Sequence, residues 1–433
     1  MSRLILLLIA AAALCAIALG QLDGSYTLPL EDPVIDYAKA PVTERVYQLK
    51  LEIESGKRKL AYDPDLGYLP SLLKALDVPV SSQTLVFSKT SFQAPRISPR
   101  TPRALYFNDS VSVGMVRGGD VLELAAHDAQ QGTIFYTLDQ EPGGSPLIMR
   151  RDDCLQCHLS GRTAGIPGVM VRSVYPDSTG MPLFQAGGFV NDHRSPLKER
   201  WGGWYVTGTH GAQVHMGNSV SRSRQDADFD FTAGSNLLKL DRFIDTGAYL
   251  SPHSDIVALM VMEHQVRAQN LLTRVNWEVR MALRQQAAMN EMLKKPADQL
   301  SESTERRIRN LTEYLVEYLL MKDEVQLTEP VKGTSGFTEE FSARGPHDAQ
   351  GRGLRQLDLK RRLFRYPLSY MIYSEAFDQL PALVKARAFT RLGEILSGRD
   401  QTASYSNLSV EDRQAILEIL RATLKGLPEG FGG

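Results

Sequence analysis

The spacing of apolar positions changes character three times along this chain of 433 residues. Residues 4–18 form an uninterrupted apolar and small run that follows Arg3 and ends in Ala18-Leu19-Gly20 before Gln21. A basic start, a short apolar stretch and a small-x-small end are the parts of a secretory signal peptide. The run is shorter than the roughly 20 residues a bilayer span needs. Residues 1–20 are therefore expected to be a cleaved signal, with export to the periplasm or beyond, in preference to a retained N-terminal membrane anchor. No transmembrane segment is expected in what remains.

Past the signal, the period predicts short amphipathic helices over 42–54 and 67–77, the second entered through Pro70. It then shortens. Stretches 83–88, 103–108, 110–116, 121–126 and 132–138 are β-branched and aromatic runs separated by Pro, Asn-Asp and Gly-Gly turn signals, which predicts an antiparallel strand cluster. Stretches 168–175 and 181–190 flank Pro176-Asp177-Ser178-Thr179-Gly180 as a hairpin, and 201–209 reads as a third strand. From Ser254, a candidate cap, the period lengthens again. Val257, Val261, His264, Ala268, Leu271, Val275, Val279, Ala282 and Met289 recur at three, four and seven residues, the stripe of a long amphipathic helix. Further helices are expected at 303–322, 370–397 and 410–425, with 333–353, dense in Gly and polar residues, as an internal linker or mobile loop. The expected fold class is α+β: an antiparallel β-rich part over 21–245, then a mainly helical part over 246–433.

Composition adds two exclusions. With 43% hydrophobic residues the chain is globular rather than disordered, and a formal net charge of −1 gives no reason to expect a nucleic-acid partner. Cysteine changes the picture more, because only three are present and Cys15 lies in the signal. The other two form Cys154-Leu155-Gln156-Cys157-His158. Cys-x-x-Cys-His is the spacing of c-type haem attachment: two thiols reach the two vinyl groups of one porphyrin, and the adjacent imidazole is offered to the iron. Asp152 or Asp153 can cap a short helix that presents the motif. A dithiol redox pair has no use for the adjacent His, and a zinc site needs four ligands where no second cysteine pair exists.

On these residues the chain resembles c-type cytochromes, whose compact all-helical fold is not expected here because strands return after His158. More widely, RWGGWYVTGTHG at 200–211, SDIVALMVMEHQ at 254–265 and RYPLSYMIYSEAFDQLP at 365–381 resemble exported bacterial proteins with a single cytochrome c motif. The resemblance implies one covalent haem c, held by Cys154, Cys157 and His158. The sole mature cysteine pair and the signal together lead to the expectation of electron transfer in the periplasm, with a redox partner protein or a small-molecule donor or acceptor. A single motif excludes a multihaem wire, and sets the chain apart from dihaem peroxidases.

The sixth iron position decides between electron carriage and ligand chemistry. His264, on the apolar stripe of the long helix, is the first candidate. Met216, 58 residues after His158, is its rival at a spacing similar to that of the axial Met in small cytochromes c. His193, His210, His215 and His253 lie in loop-like segments, and Arg162, Arg172 and Arg194 are candidate partners of the haem propionates. Glu263, His264 and Arg267 supply the residue types of a peroxidase distal side, although 263 and 267 read more simply as an i,i+4 ion pair. A haem enzyme of peroxidase or oxidase type, and a haem-based sensor or partner-docking protein, therefore stand as alternatives to the electron carrier.

Overall fold

The computed structural model describes residues 26–143, 146–223, 228–232 and 234–433. The expected signal at 1–20 lies outside them. Among the described residues no helix is long and apolar enough to cross a membrane.

The architecture is α+β. Helices α1 (Arg45–Glu54) and α2 (Leu69–Ala75) come first. Glu44 caps α1 by accepting from the backbone N–H groups of Val46 and Tyr47. Six strands follow as a meander: β1 (Thr84–Val86), β2 (Arg103–Phe107), β3 (Val111–Met115), β4 (Val121–Asp128), β5 (Gly132–Asp139) and β6 (Ile148–Arg150). After helix α3 (Leu155–His158), strands β7 (Val171–Val174) and β8 (Gly188–Asn191) pair as a separate hairpin. Strand β9 (Trp204–Tyr205) then returns to β1, closing a seven-stranded antiparallel sheet in the order β6-β5-β4-β3-β2-β1-β9. The strand expected over 201–209 is present as these two residues, joined to the main sheet. Its edge pairs with a strand far upstream in sequence, a partner that local periodicity does not report.

The two sheet faces differ. Leu122, Leu124 and Ala126 of β4, with Tyr106, Val113, Ile134 and Tyr136 opposite, form one core with Leu49, Leu69 and Leu72 of α1 and α2. On the other face Val86, Phe107 and Trp204 join the helical core, while Arg103, Glu123 and Ala125 stay half-buried. The alternation along β4 that the sequence shows is this difference between faces.

Helix α4 (Ile256–Met292) runs between the sheet and the remaining helices: α5 (Glu302–Leu319), α6 (Phe337–Ala343), α7 (Glu375–Asp378), α8 (Ala382–Leu396) and α9 (Val410–Thr423). Its cap is Asp255, whose side chain accepts from Val257 and Ala258, and not Ser254, which instead bonds Tyr205 and Leu85 of the sheet. Every residue from Ile256 to Val279 is buried. The amphipathic stripe is therefore a partial description, because polar residues fill the other sides and are hydrogen-bonded there. Gln265 and Gln269 donate to the carbonyls of Asn108 and Asp109, Thr273 meets His127, and Trp277 donates to Gln130, one row at four-residue steps laid along the sheet. The stretch 333–353, read as a linker or mobile loop, contains α6, whose Phe337 and Phe341 are buried in the helical core. Pro381 divides the single helix expected over 370–397.

Candidate functional site

The Cys-x-x-Cys-His motif follows β6 at one edge of the sheet. Asp152–Cys154 make a 3-10 turn that runs into α3, so Cys154 and Cys157 sit about one helical turn apart. The expected carboxylate cap does not form. Asp152 and Asp153 pair instead with Arg150 and Arg151 at 3.0 and 2.7 Å. Both thiols are unpaired, Cys154 half-buried and Cys157 exposed. Burial, and secondarily the charge of Asp153, push the Cys154 thiol up to about 11.

The chain then folds back on itself and fixes His158. The Gly168 N–H donates to the His158 carbonyl, and His158 Nδ1 donates to the Gly168 carbonyl at 2.9 Å. A carbonyl can only accept, so the proton sits on Nδ1 and the lone pair on Nε2. The ring lies against Phe135 of β5, centroids 4.8 Å apart, on the half-buried sheet face and in the field of Arg103 and Glu123. Burial holds the imidazole below its ordinary value, that is, neutral.

Helix α4 supports this fold-back from behind. Asn270 Nδ2 donates to Val169 O at 2.8 Å and Arg274 Nη1 to Ala164 O at 3.0 Å. No Cβ fits at Gly168, since it would lie 2.2 Å from Asn270 Oδ1. Gly168→Ala is accordingly expected to destabilise the protein by about 1–3 kcal/mol and to shift the carbonyl that holds His158. A urea melt and the haem content per chain check both effects.

Tested as a donor set, these residues fit a c-type haem. Two free thiols stand one turn apart, and the adjacent imidazole has its Nδ1 engaged by a backbone carbonyl, the arrangement by which proteins select Nε2 as the metal ligand. A bare metal ion fits less well, because among the described residues no three His, Cys, Asp or Glu side chains are grouped to hold one. Arg172, half-buried on β7, lies in the field of Cys157 and Arg162 and is held below its ordinary value by burial and then by that like charge. Arg194 is not available to a propionate. It makes a bidentate pair with Asp192 at 2.6 to 3.2 Å.

The candidates for the sixth position are placed elsewhere. His264 is fully buried, with Nδ1 3.0 Å from His193 Nδ1 and Nε2 2.6 Å from Ser369 Oγ, so neither ring nitrogen is free for iron. Its ring is stacked on Tyr318. What α4 presents to the loop after His158 is Asn270 and Arg274, not His264. Met216 is also fully buried, its sulfur accepting from Ser173 Oγ at 3.4 Å beneath Gly202. His193, His210 and His215 are buried rather than solvated, and His210 Nε2 and His215 Nδ1 accept from the backbone of Asn236 and Gly217.

The peroxidase-like set is corrected as well. Glu263 pairs not with Arg267 but with Arg200 at 3.1 Å, and Arg267 turns towards Asp192 at 4.0 Å. A buried cluster results: Asp192, His193 and Arg194 after β8, Arg200 before β9, Glu263, His264 and Arg267 on α4, and Ser369. All three strings that carry the wider resemblance contribute to it, through Arg200, Glu263 with His264, and Ser369. Periodicity flagged His264 as buried, but no sequence signal paired it with His193 or Ser369. No protein-family model, curated protein or solved structure matches this chain.

Proposed function

We propose that the protein is an exported c-type haem protein carrying one haem c on Cys154 and Cys157, with His158 Nε2 as proximal ligand, and that it transfers electrons in the periplasm. The observation that carries this reading is the His158 Nδ1–Gly168 O bond beside two unpaired thiols, which leaves Nε2 for iron. The haem would supply a one-electron couple at iron. The chain's own residues orient the imidazole through Gly168 and brace that loop with Asn270 and Arg274 of α4. Arg172 places positive charge near Cys157, with Arg162 close to Arg172. The redox partner, a protein or a small molecule, is read from the chemistry alone.

A second reading, a ligand-binding haem of enzyme or sensor type, is favoured by one observation: both residues expected to fill the sixth position already have other partners. One optical experiment on the purified exported protein separates the two. A ferrous spectrum unchanged by carbon monoxide supports the carrier; rapid carbon monoxide binding removes the carrier reading and leaves the enzyme or sensor.

A further inference from the structure

Beside the Cys-x-x-Cys-His motif lies a guanidinium with too few acceptors. Arg103 stands on the half-buried sheet face, the one against which His158 packs through Phe135. Its side chain is only 20% exposed. Nη1 donates to Glu123 Oε2 at 2.5 Å, Nε is buried without an acceptor, and Nη2 makes no hydrogen bond among the described residues. One hydrogen bond thus serves a group with five N–H donors. Glu123 cannot take them all, because its Oε1 already accepts from Ser91 Oγ and Gln93 Nε2, both at 2.8 Å. Other arginines before and after the motif are paired: Arg150 with Asp152, Arg151 with Asp153, and Arg194 with Asp192. A buried donor without an acceptor is costly, and the free edge of Arg103, Nε with Nη2, has the fork geometry that grips a carboxylate through two parallel bonds.

The place of Arg103 relative to the motif suits the carboxylates of a haem. His158 Nδ1 is turned to Gly168, so Nε2 faces away from the loop that Asn270 braces. Arg103 and Glu123 both bear on the His158 imidazole, and Glu123 bears on Cys154 as well. Strand β6, which leads into the motif, and β4, whose Glu123 the guanidinium meets, are two strand spacings apart, roughly 10 Å. A porphyrin bridges that distance, from thioethers at one edge to its propionates on the far side of the ring.

We infer that Arg103 binds a haem propionate through Nε and Nη2, and so fixes how the haem lies along the sheet face. The inference rests on the haem reading above. The sequence pointed to Arg162, Arg172 and Arg194 for this role; Arg103 reaches the site only because the meander sets β2 and β4 on one face. Its charge also favours the reduced iron. A unit charge about 10 Å away, at an effective dielectric constant of about 20, is worth about tenfold in the reduction equilibrium.

The test uses the exported holoprotein and reads the propionate bending band of its resonance Raman spectrum together with its midpoint potential. Arg103→Gln should shift the band and favour the ferric form about tenfold, a fall of ~59 mV for one electron. Glu123→Gln breaks the same ion pair but leaves the guanidinium, so the band should stay in place and the potential should move upwards. Arg103→Lys keeps the charge without the fork, and should shift the band while the reduction equilibrium stays within about threefold of native. A band unmoved in Arg103→Gln overturns the assignment. So does a Glu123→Gln protein that shifts band and potential as Arg103→Gln does, since the ion pair would then act only through the fold. If Arg103→Gln does not fold, the band of Arg103→Lys decides. Protein that carries no covalent haem overturns the haem reading itself, whereas haem-loaded protein with an unmoved band overturns the role of Arg103 alone.

Discussion

Arg200→Ala is expected to destabilise the fold by about 3–5 kcal/mol, because three acceptors, Glu263, Ser195 O and His193 O, lose their donor at about 1–3 kcal/mol each. Glu263 has no exposed surface and the Arg200 side chain is only 4% exposed, so water cannot replace the lost guanidinium. Burial pushes the Glu263 carboxyl up to about 8, and Arg200 is the main influence pulling it back. Removing Arg200 therefore also promotes protonation of Glu263. The same change deletes the donors to Ser195 O and His193 O, loosening the segment that carries His193. Exposed pairs such as Arg96–Asp120, at 46% and 84% exposure, should behave differently. Arg96→Ala is expected to cost no more than about 1 kcal/mol. Urea unfolding of the two variants at neutral pH reads the contrast directly; near-equal losses would mean that Arg200 and Glu263 are not a buried pair.

Acid should unfold the protein steeply below about pH 4.5. Burial is the first cause holding six histidines below their ordinary value: His127 at about 4, His193 and His215 at about 3, His264 well below it, and His158 and His210 in the same direction. In the unfolded chain each protonates near 6.5. A group whose pKa is depressed by folding contributes stability above its unfolded value and loses it as pH falls towards the folded one. Three carboxyls work in the opposite sense. Glu44, Glu263 and Glu324 are raised by burial, so the folded state takes up their protons first and gains stability between about 8 and their unfolded value near 4.5. Down to about pH 4.5 the carboxyls offset part of what the histidines lose. Below it the carboxyl contribution is exhausted, and each histidine still neutral in the fold costs about 1.4 kcal/mol per pH unit. Three such protons are enough to bring a protein of ordinary stability, roughly 5–15 kcal/mol, to unfolding within a few units. Urea midpoints at pH 7, 5, 4 and 3.5 should fall gradually over the first two values and collapse over the last two. A midpoint unchanged between 4.5 and 3.5 would show that these imidazoles are not buried neutral.

What could be read from the sequence was local. Strand β4 alternates because one sheet face packs on α1 and α2 while the other is half-open along it, and that period of two is written in its residues. Ser409 and Asp412 form the capping box of α9, inside the helix expected at 410–425. Long-range partners were not legible. Strand β9 reads as an aromatic run, but nothing in it names β1 as its neighbour. Glu263 and Arg267 share a helix face, so the sequence suggests their pairing; the fold instead brings Arg200 and Asp192 to them from outside the helix. The buried side chain of His264 was legible from its stripe, yet a stripe says only that a residue is covered, not by what. The Cys-x-x-Cys-His motif was legible as a pattern over five residues. The bond that orients His158 was not, because Gly168 becomes its partner only when Thr163 and Asn270 fold the loop back.

The central claim, covalent haem on Cys154 and Cys157, is tested most directly by exporting the protein in a host able to attach haem c, running it on a denaturing gel and staining for haem. A band at the size of the chain that survives denaturation, and that is lost or strongly reduced in Cys154→Ala and Cys157→Ala, is the predicted result. His158→Ala should keep some covalent haem with an altered spectrum. Well-expressed, exported protein that carries no stain, or a stain indifferent to Cys157→Ala, would contradict the account.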